Sequence, residues 1–188
     1  MQETLYHLSR YKLLSATCAI EGTVLAIALF LAKYFDVKLL FQTESLLYDF
    51  LIGTFGAWIP LSLFIFLLSK RGETIPFIGS LRKLVITDVK SIFDKANLFD
   101  LYLISLFAGF AEELLFRGVL QVTFGIVPAS IIFGLLHFIT PAYGIFVTIM
   151  GFYIGILFHL HQSILTPVLL HFFYDFGALV YLRYFVKT

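Results

Sequence analysis

Apolar residues fall along this chain in long blocks, not in the alternating or one-faced patterns of a soluble fold. Six blocks stand out, over 13–35, 50–69, 98–123, 126–139, 142–160 and 163–185. A helix needs roughly 20 apolar residues to cross the hydrocarbon core of a bilayer. The pattern therefore predicts an all-α, polytopic membrane bundle of about six transmembrane helices. The fourth block is short and ends at Pro141. Very tight connections join the last four blocks, which makes them antiparallel neighbours.

The pattern changes between the second and third blocks. Within 76–96, Phe77, Leu81, Leu84, Val85, Val89, Ile92 and Phe93 recur at helical spacing, with Arg82, Lys83, Lys90 and Lys95 on the other side. This is an amphipathic interfacial helix. It suits an anionic membrane surface, and it equally suits a connector whose apolar face packs on the bundle. The chain then divides into a two-span region with its connector, 1–97, and a four-span core, 98–188, within one integrated domain.

Composition agrees with a lipid environment. The 188 residues are 60% hydrophobic and 13% charged, with 23 Phe and 10 Tyr. A soluble domain is about 45–50% apolar and about 25% charged. Net charge is +1, and no basic cluster with interleaved aromatics marks a nucleic-acid partner. Cys18 is the single cysteine, so neither an intrachain disulfide nor a cysteine-rich metal site can form. The first block is too long for a signal-peptide core and reads as a retained membrane helix. Lys and Arg set the orientation: Arg10 and Lys12 precede the first block, and Lys70, Arg71, Arg82, Lys83, Lys90 and Lys95 lie between the second and third. This bias places the N-terminus and the 70–97 connector in the cytoplasm.

Against this background a few polar residues inside the blocks stand out. The third carries Glu112, Glu113 and Arg117 in "AEELLFRG", the fourth carries His137 in "FGLLHF", and the sixth carries His171 and Asp175 in "LLHFFYDF". Each charge at a helix centre costs about 2.5–3.5 kcal/mol on insertion scales. Glu113 and Arg117 are four apart and can pair on one face. Glu112 lies about 100° around the helix and stays available for another task. The same spacing of four relates His171 to Asp175 and Phe133 to His137. A rise of 1.5 Å per residue from the turns near 125 and 162 puts Glu112, His137, His171 and Asp175 at similar depths of about 14–20 Å. Tyrosines and Trp58 near block ends fit an aromatic belt. His159 and His161 read as interfacial, and Glu21 as a helix residue whose sequence gives it no partner.

Two chemistries use such a cluster. In one, Glu112 is a general base for a water held between it and His137, the water attacks a peptide carbonyl, and His171 with Asp175 forms the oxyanion side. In the other, Glu112, His137 and His171 hold a divalent metal such as zinc that activates the water. Neither HExxH nor GxSxG is present. A non-enzymatic reading also stands, in which Glu112 and His137 form a proton or solute relay.

"EELLFR" at 112–117, "FGLLH" at 133–137 and "HFFYD" at 171–175 together resemble the EExxxR, FxxxH and HxxxN/D motifs of the CAAX protease and bacteriocin-processing family, also called CPBP or ABI. The family includes the Ras-converting CAAX endoprotease. The resemblance covers roughly residues 98–180. It implies an intramembrane endopeptidase of glutamate type, with no cofactor. Glu112 would be the base with His137 its partner, and His171 and Asp175 would line the oxyanion side. Glu113 would assist, and Arg117 and Phe133 would support the motifs. Asp175 stands where the CAAX endoprotease has Asn. The family also carries a metalloprotease label. The compact chain is more similar to prokaryotic members, linked to bacteriocin maturation or self-immunity. That implies a multi-pass protein of a prokaryotic cytoplasmic membrane, acting on a membrane-anchored protein or peptide, or else a self-immunity scaffold without activity.

Overall fold

A computed structural model describes residues 9–39 and 45–186. Among these residues the regular structure is all helical. In order, the helices are α1 (Arg10–Tyr34), α2 (Leu46–Leu68), α3 (Lys70–Glu73), α4 (Pro76–Leu84), α5 (Lys90–Phe93), α6 (Leu98–Glu113), α7 (Val122–Phe124), α8 (Ile126–Leu136), α9 (Pro141–His161) and α10 (Leu165–Tyr184). A π-helical segment, Val85–Val89, joins α4 to α5, and a second, Leu114–Gln121, joins α6 to α7.

The expected six spans resolve into something less uniform. Among the described residues four helices, α1, α2, α9 and α10, are long and apolar enough to cross a membrane. The third block forms one continuous helical rod, α6, the second π-helical segment and α7, and it carries Asp100, Glu112, Glu113 and Arg117. The fourth block shortens to the 11 residues of α8, about 16 Å of helix against a hydrocarbon core of about 30 Å. Its chain breaks at His137, which caps the helix, and α9 restarts behind the N-cap Thr140 and Pro141. Gly125, with φ of 88°, makes the sharp turn between α7 and α8 that a side-chain-bearing residue would resist.

Polar groups stitch the long helices together where lipid offers no hydrogen bonds. Arg10 at the start of α1 donates through Nε and Nη2 to the Asp100 carboxylate, at 2.6 and 2.9 Å. Asp100 also completes a capping box with Asn97. Asp49 in the first turn of α2 accepts from Ser163 and Thr166, each at 2.8 Å, which fixes α2 to the start of α10. Pro60 inside α2 has no N–H for the carbonyl of Gly56 four residues back. The Tyr153 hydroxyl of α9 donates to that carbonyl at 2.9 Å instead.

The amphipathic connector docks on the bundle. Leu81, Leu84 and Val85 are buried. Leu81 and Val85 pack in one cluster with Phe64 and Leu67 of α2, Ala142 of α9 and Leu182 of α10. Lys90 donates to the Val186 carbonyl beyond α10 at 2.6 Å, and Arg82 donates to the Leu68 carbonyl at the end of α2 at 3.2 Å. Of the two uses foreseen for this face, packing on the bundle takes these side chains, while Phe77 stays exposed.

Candidate active site

Glu112 and Glu113 are the last two residues of α6, and their side chains go to different partners. Glu113 is fully buried. Its Oε1 accepts from Arg117 Nη1 at 3.2 Å and lies 2.6 Å from His171 Nδ1. Its Oε2 lies 3.1 Å from Arg117 Nε. Arg117, equally buried, uses Nη2 to donate to the Gly151 carbonyl of α9 at 3.1 Å. Its guanidinium sits 4.8 Å from the centre of the Phe133 ring on α8, close enough for a cation–π contact. The pair foreseen from the spacing of four is thus the hub that joins the α6 rod, α8, α9 and α10. Losing one member of a buried pair typically costs about 3–5 kcal/mol, because the other charge is stranded.

Glu112 turns the other way. Its Oε2 is 3.5 Å from His137 Nε2, is buried, and has no hydrogen-bond partner among the described residues. His137 Nδ1 lies 2.8 Å from the carbonyl of Phe133. A carbonyl only accepts, so Nδ1 carries the hydrogen, and in its neutral form the ring presents its Nε2 lone pair to the carboxylate. In that form two acceptors face each other across 3.5 Å, an arrangement that a water satisfies by donating to both.

His171 is held from both sides. Nδ1 faces Glu113 Oε1, and Nε2 lies 3.3 Å from Asp175 Oδ2, four residues further along α10. The α6 rod and α10 come this close because Gly109 has no side chain. A Cβ there would lie 3.0 Å from the backbone nitrogen of Phe172 and 3.2 Å from the carbonyl of Val168. The Phe133 ring fills the space between the imidazoles, with its centre 4.6 Å from His137 and 6.3 Å from His171.

All seven residues singled out from the sequence therefore meet. Glu112, Phe133, His137, His171 and Asp175 line a cavity of about 280 Å³. The rest of its wall is mainly apolar, from Phe64 and Leu67 of α2, Met150 and Ile154 of α9, and Leu179 and Leu182 of α10. The docked connector adds Leu81, Val85, Val89 and Phe93. The short α8 explains the space, since no full-length fourth helix fills it.

Among the described residues no group of three or more His, Cys, Asp or Glu stands where it could hold a metal ion. Both ring nitrogens of His171 are already taken by carboxylates, and Nδ1 of His137 by a carbonyl.

Three contributors were not anticipated. Glu21 of α1, to which the sequence gave no partner, lies within electrostatic reach of Glu112, His171, Asp175 and His137. Its Oε2 is buried without a hydrogen bond. The only signal in the sequence was an acid inside an otherwise apolar block. Tyr143, at a block end and so read with the aromatic belt, and Tyr174, given no role, both line the cavity. Nothing in their spacing told these two from other tyrosines.

Residues 94–177 match the family model described as type II CAAX prenyl endopeptidase Rce1-like. The chain is also 37% identical over 89 residues to a protein of Bacillus subtilis (strain 168) described as uncharacterized protein YpbD, an overlap of 46% of this chain and 47% of that one. The match thus spans just under half the length of that curated relative. No solved structure matches. The stretch that carries all three polar motifs is therefore a match to the Rce1-like type II CAAX prenyl endopeptidases, in agreement with the CAAX protease family that those motifs resemble.

Proposed function

We propose that the chain is an intramembrane endopeptidase in which Glu112 and His137 activate water without a metal ion. The observation that carries this is the placement of Glu112. A buried carboxylate oxygen with no hydrogen-bond partner faces the lone pair of His137 across 3.5 Å, at the polar end of a mainly apolar cavity. A water donating to both keeps its lone pairs for a peptide carbonyl brought into the cavity. Glu112 takes one proton as the oxygen attacks, and the carbonyl becomes a tetrahedral oxyanion. Glu112 then returns that proton to the leaving amine as the C–N bond breaks, so one water is consumed and the side chain is restored. Glu113, Arg117 and His171 hold the α6 rod, α9 and α10 in register. Asp175 orients His171 from the far side.

The family match supports a substrate that ends in a lipidated or strongly apolar tail. The cavity wall supports the same class, because its apolar lining favours a tail over an ion in transit. This sets the peptidase reading above a proton relay or an inactive self-immunity scaffold. The test is mass spectrometry of a farnesylated peptide ending in cysteine and three further residues, incubated in proteoliposomes with purified protein and a chelator. Release of the C-terminal tripeptide, with one oxygen from labelled water in the new carboxyl group of the farnesylated cysteine product, is the expected result. An intact peptide together with proton flux through the liposomes favours the relay. Cleavage abolished by the chelator and restored by zinc favours the metal scheme.

A further inference from the structure

We propose that the connector stripe of Leu81, Val85, Val89 and Phe93 selects the length of the substrate's hydrocarbon tail, a role that rests on the hydrolytic reading above for its substrate. All four side chains line the same cavity as Glu112 and His137. None of them falls within residues 94–177, the stretch that matches the family model. The selector is therefore a feature of this chain's own connector, outside the stretch that carries the polar motifs.

The four residues recur at a spacing of four. In an unbroken α-helix that spacing drifts about 40° per step, which would turn Leu81 and Phe93 about 120° apart. The π-helical segment Val85–Val89 packs more residues into its turn and takes back part of the drift, so all four reach one cavity. Lys90 and Arg82 hold the segment in place through their bonds to the carbonyls of Val186 and Leu68. The stripe meets the bundle at the end of the cavity away from the base. Phe93 packs with Ile104 of α6 and Leu179 of α10, whereas Leu81 and Val85 pack with Leu182 of α10. Ile104 precedes Glu112 by eight residues, and Leu182 follows Asp175 by seven. At 1.5 Å per residue these are separations of about 10–12 Å. A tail whose scissile carbonyl is held at Glu112 has about that depth before it reaches the connector. Burial favours a tail in proportion to the apolar area covered, and a tail too long for that depth must displace packed side chains. Val89 and Phe93 are half-buried where Leu81 and Val85 are buried, so they form the open part of this wall.

The test compares one peptide sequence carrying a geranyl, farnesyl or geranylgeranyl tail, cleaved in proteoliposomes by wild type, Val89→Phe and Val89→Ala. Val89→Phe fills the far end of the cavity. It should lower the ratio of kcat/KM for the geranylgeranyl peptide to that for the geranyl peptide by about 10-fold or more, the usual scale of discrimination by an apolar pocket. Val89→Ala should move the ratio the other way. The same ratio in all three proteins overturns the proposal. A second readout needs no turnover: a peptide whose tail ends in a diazirine is photo-crosslinked to Glu112→Gln, and the label is mapped by mass spectrometry. Label within residues 81–93 is expected, and label found only outside them overturns the proposal. Cleavage of every tail with no label on the connector removes the selector and leaves the hydrolytic reading standing. Label on the connector with no cleavage by wild type leaves the tail site standing and removes the hydrolytic reading.

Discussion

Adjacent acids on a helix cannot share a partner, and here that geometry divides labour between Glu112 and Glu113. Glu113 is spent on Arg117 and His171, whereas Glu112 faces the cavity and His137. The two should respond differently to substitution. Arg117→Ala strands a fully buried Glu113, so unfolding should become easier by about 3–5 kcal/mol, read as a lower thermal midpoint in detergent. Arg117→Lys should recover only part of this, because an ammonium cannot reproduce the planar fork that reaches Glu113 and Gly151 together. Glu112→Gln should leave the midpoint near that of wild type. At this scale the sequence was informative wherever two groups sit four apart on one helix, as Glu113 with Arg117 and His171 with Asp175 do. It was silent where groups meet from distant helices. Glu21 and Tyr143 reach the site only because α1 lies along the α6 rod and α9 begins at the cavity, and no local spacing encodes either fact.

The elements that shape the site are the irregular ones. The 11 residues of α8 end at His137, so the helix delivers an imidazole into the bundle and leaves room beneath it. An apolar block running through to residue 139 hid that break, because "FIT" before Pro141 is as lipid-compatible as the helix it follows. Only the histidine cap and the restart at Thr140 show where the helix stops. The π-helical segment after Glu113 was equally invisible, since hydrophobic periodicity does not separate π from α geometry over two turns. Close packing at Gly109 is the exposed weakness of this arrangement. Gly109→Leu must push the α6 rod away from the backbone of α10. It should therefore pull Glu113 from His171 and abolish cleavage while Glu112 and His137 remain in the chain. Loss of crosslinking between cysteines introduced at facing positions of α6 and α10 would check the separation directly. Tyr153→Phe is the milder counterpart. It leaves the Gly56 carbonyl opposite Pro60 without its donor, at a cost of about 1–3 kcal/mol.

Taken whole, the described residues form a helical bundle whose candidate site lies in a mainly apolar cavity. The class of fold was legible at once from the apolar blocks, since few other arrangements can hide so much hydrocarbon. The number of full spans was not, because block length overstates helix length where a chain breaks inside lipid. The charge bias predicts that the 70–97 connector, which forms part of the cavity wall, faces the cytoplasm. Single cysteines placed at Lys70 and Lys83 in a Cys18→Ser background should react with a membrane-impermeant maleimide only when it is supplied from the cytoplasmic side. Such a topology brings a tail anchored in the cytoplasmic leaflet to the docked connector. The most direct measurement on the whole is the cleavage rate of the farnesylated peptide by Glu112→Gln, compared with wild type at equal folded concentration. Removing the carboxylate base while keeping its shape should cost at least about 10²-fold, in line with the usual contribution of a general base. A variant that cleaves at the wild-type rate would show that water is activated elsewhere.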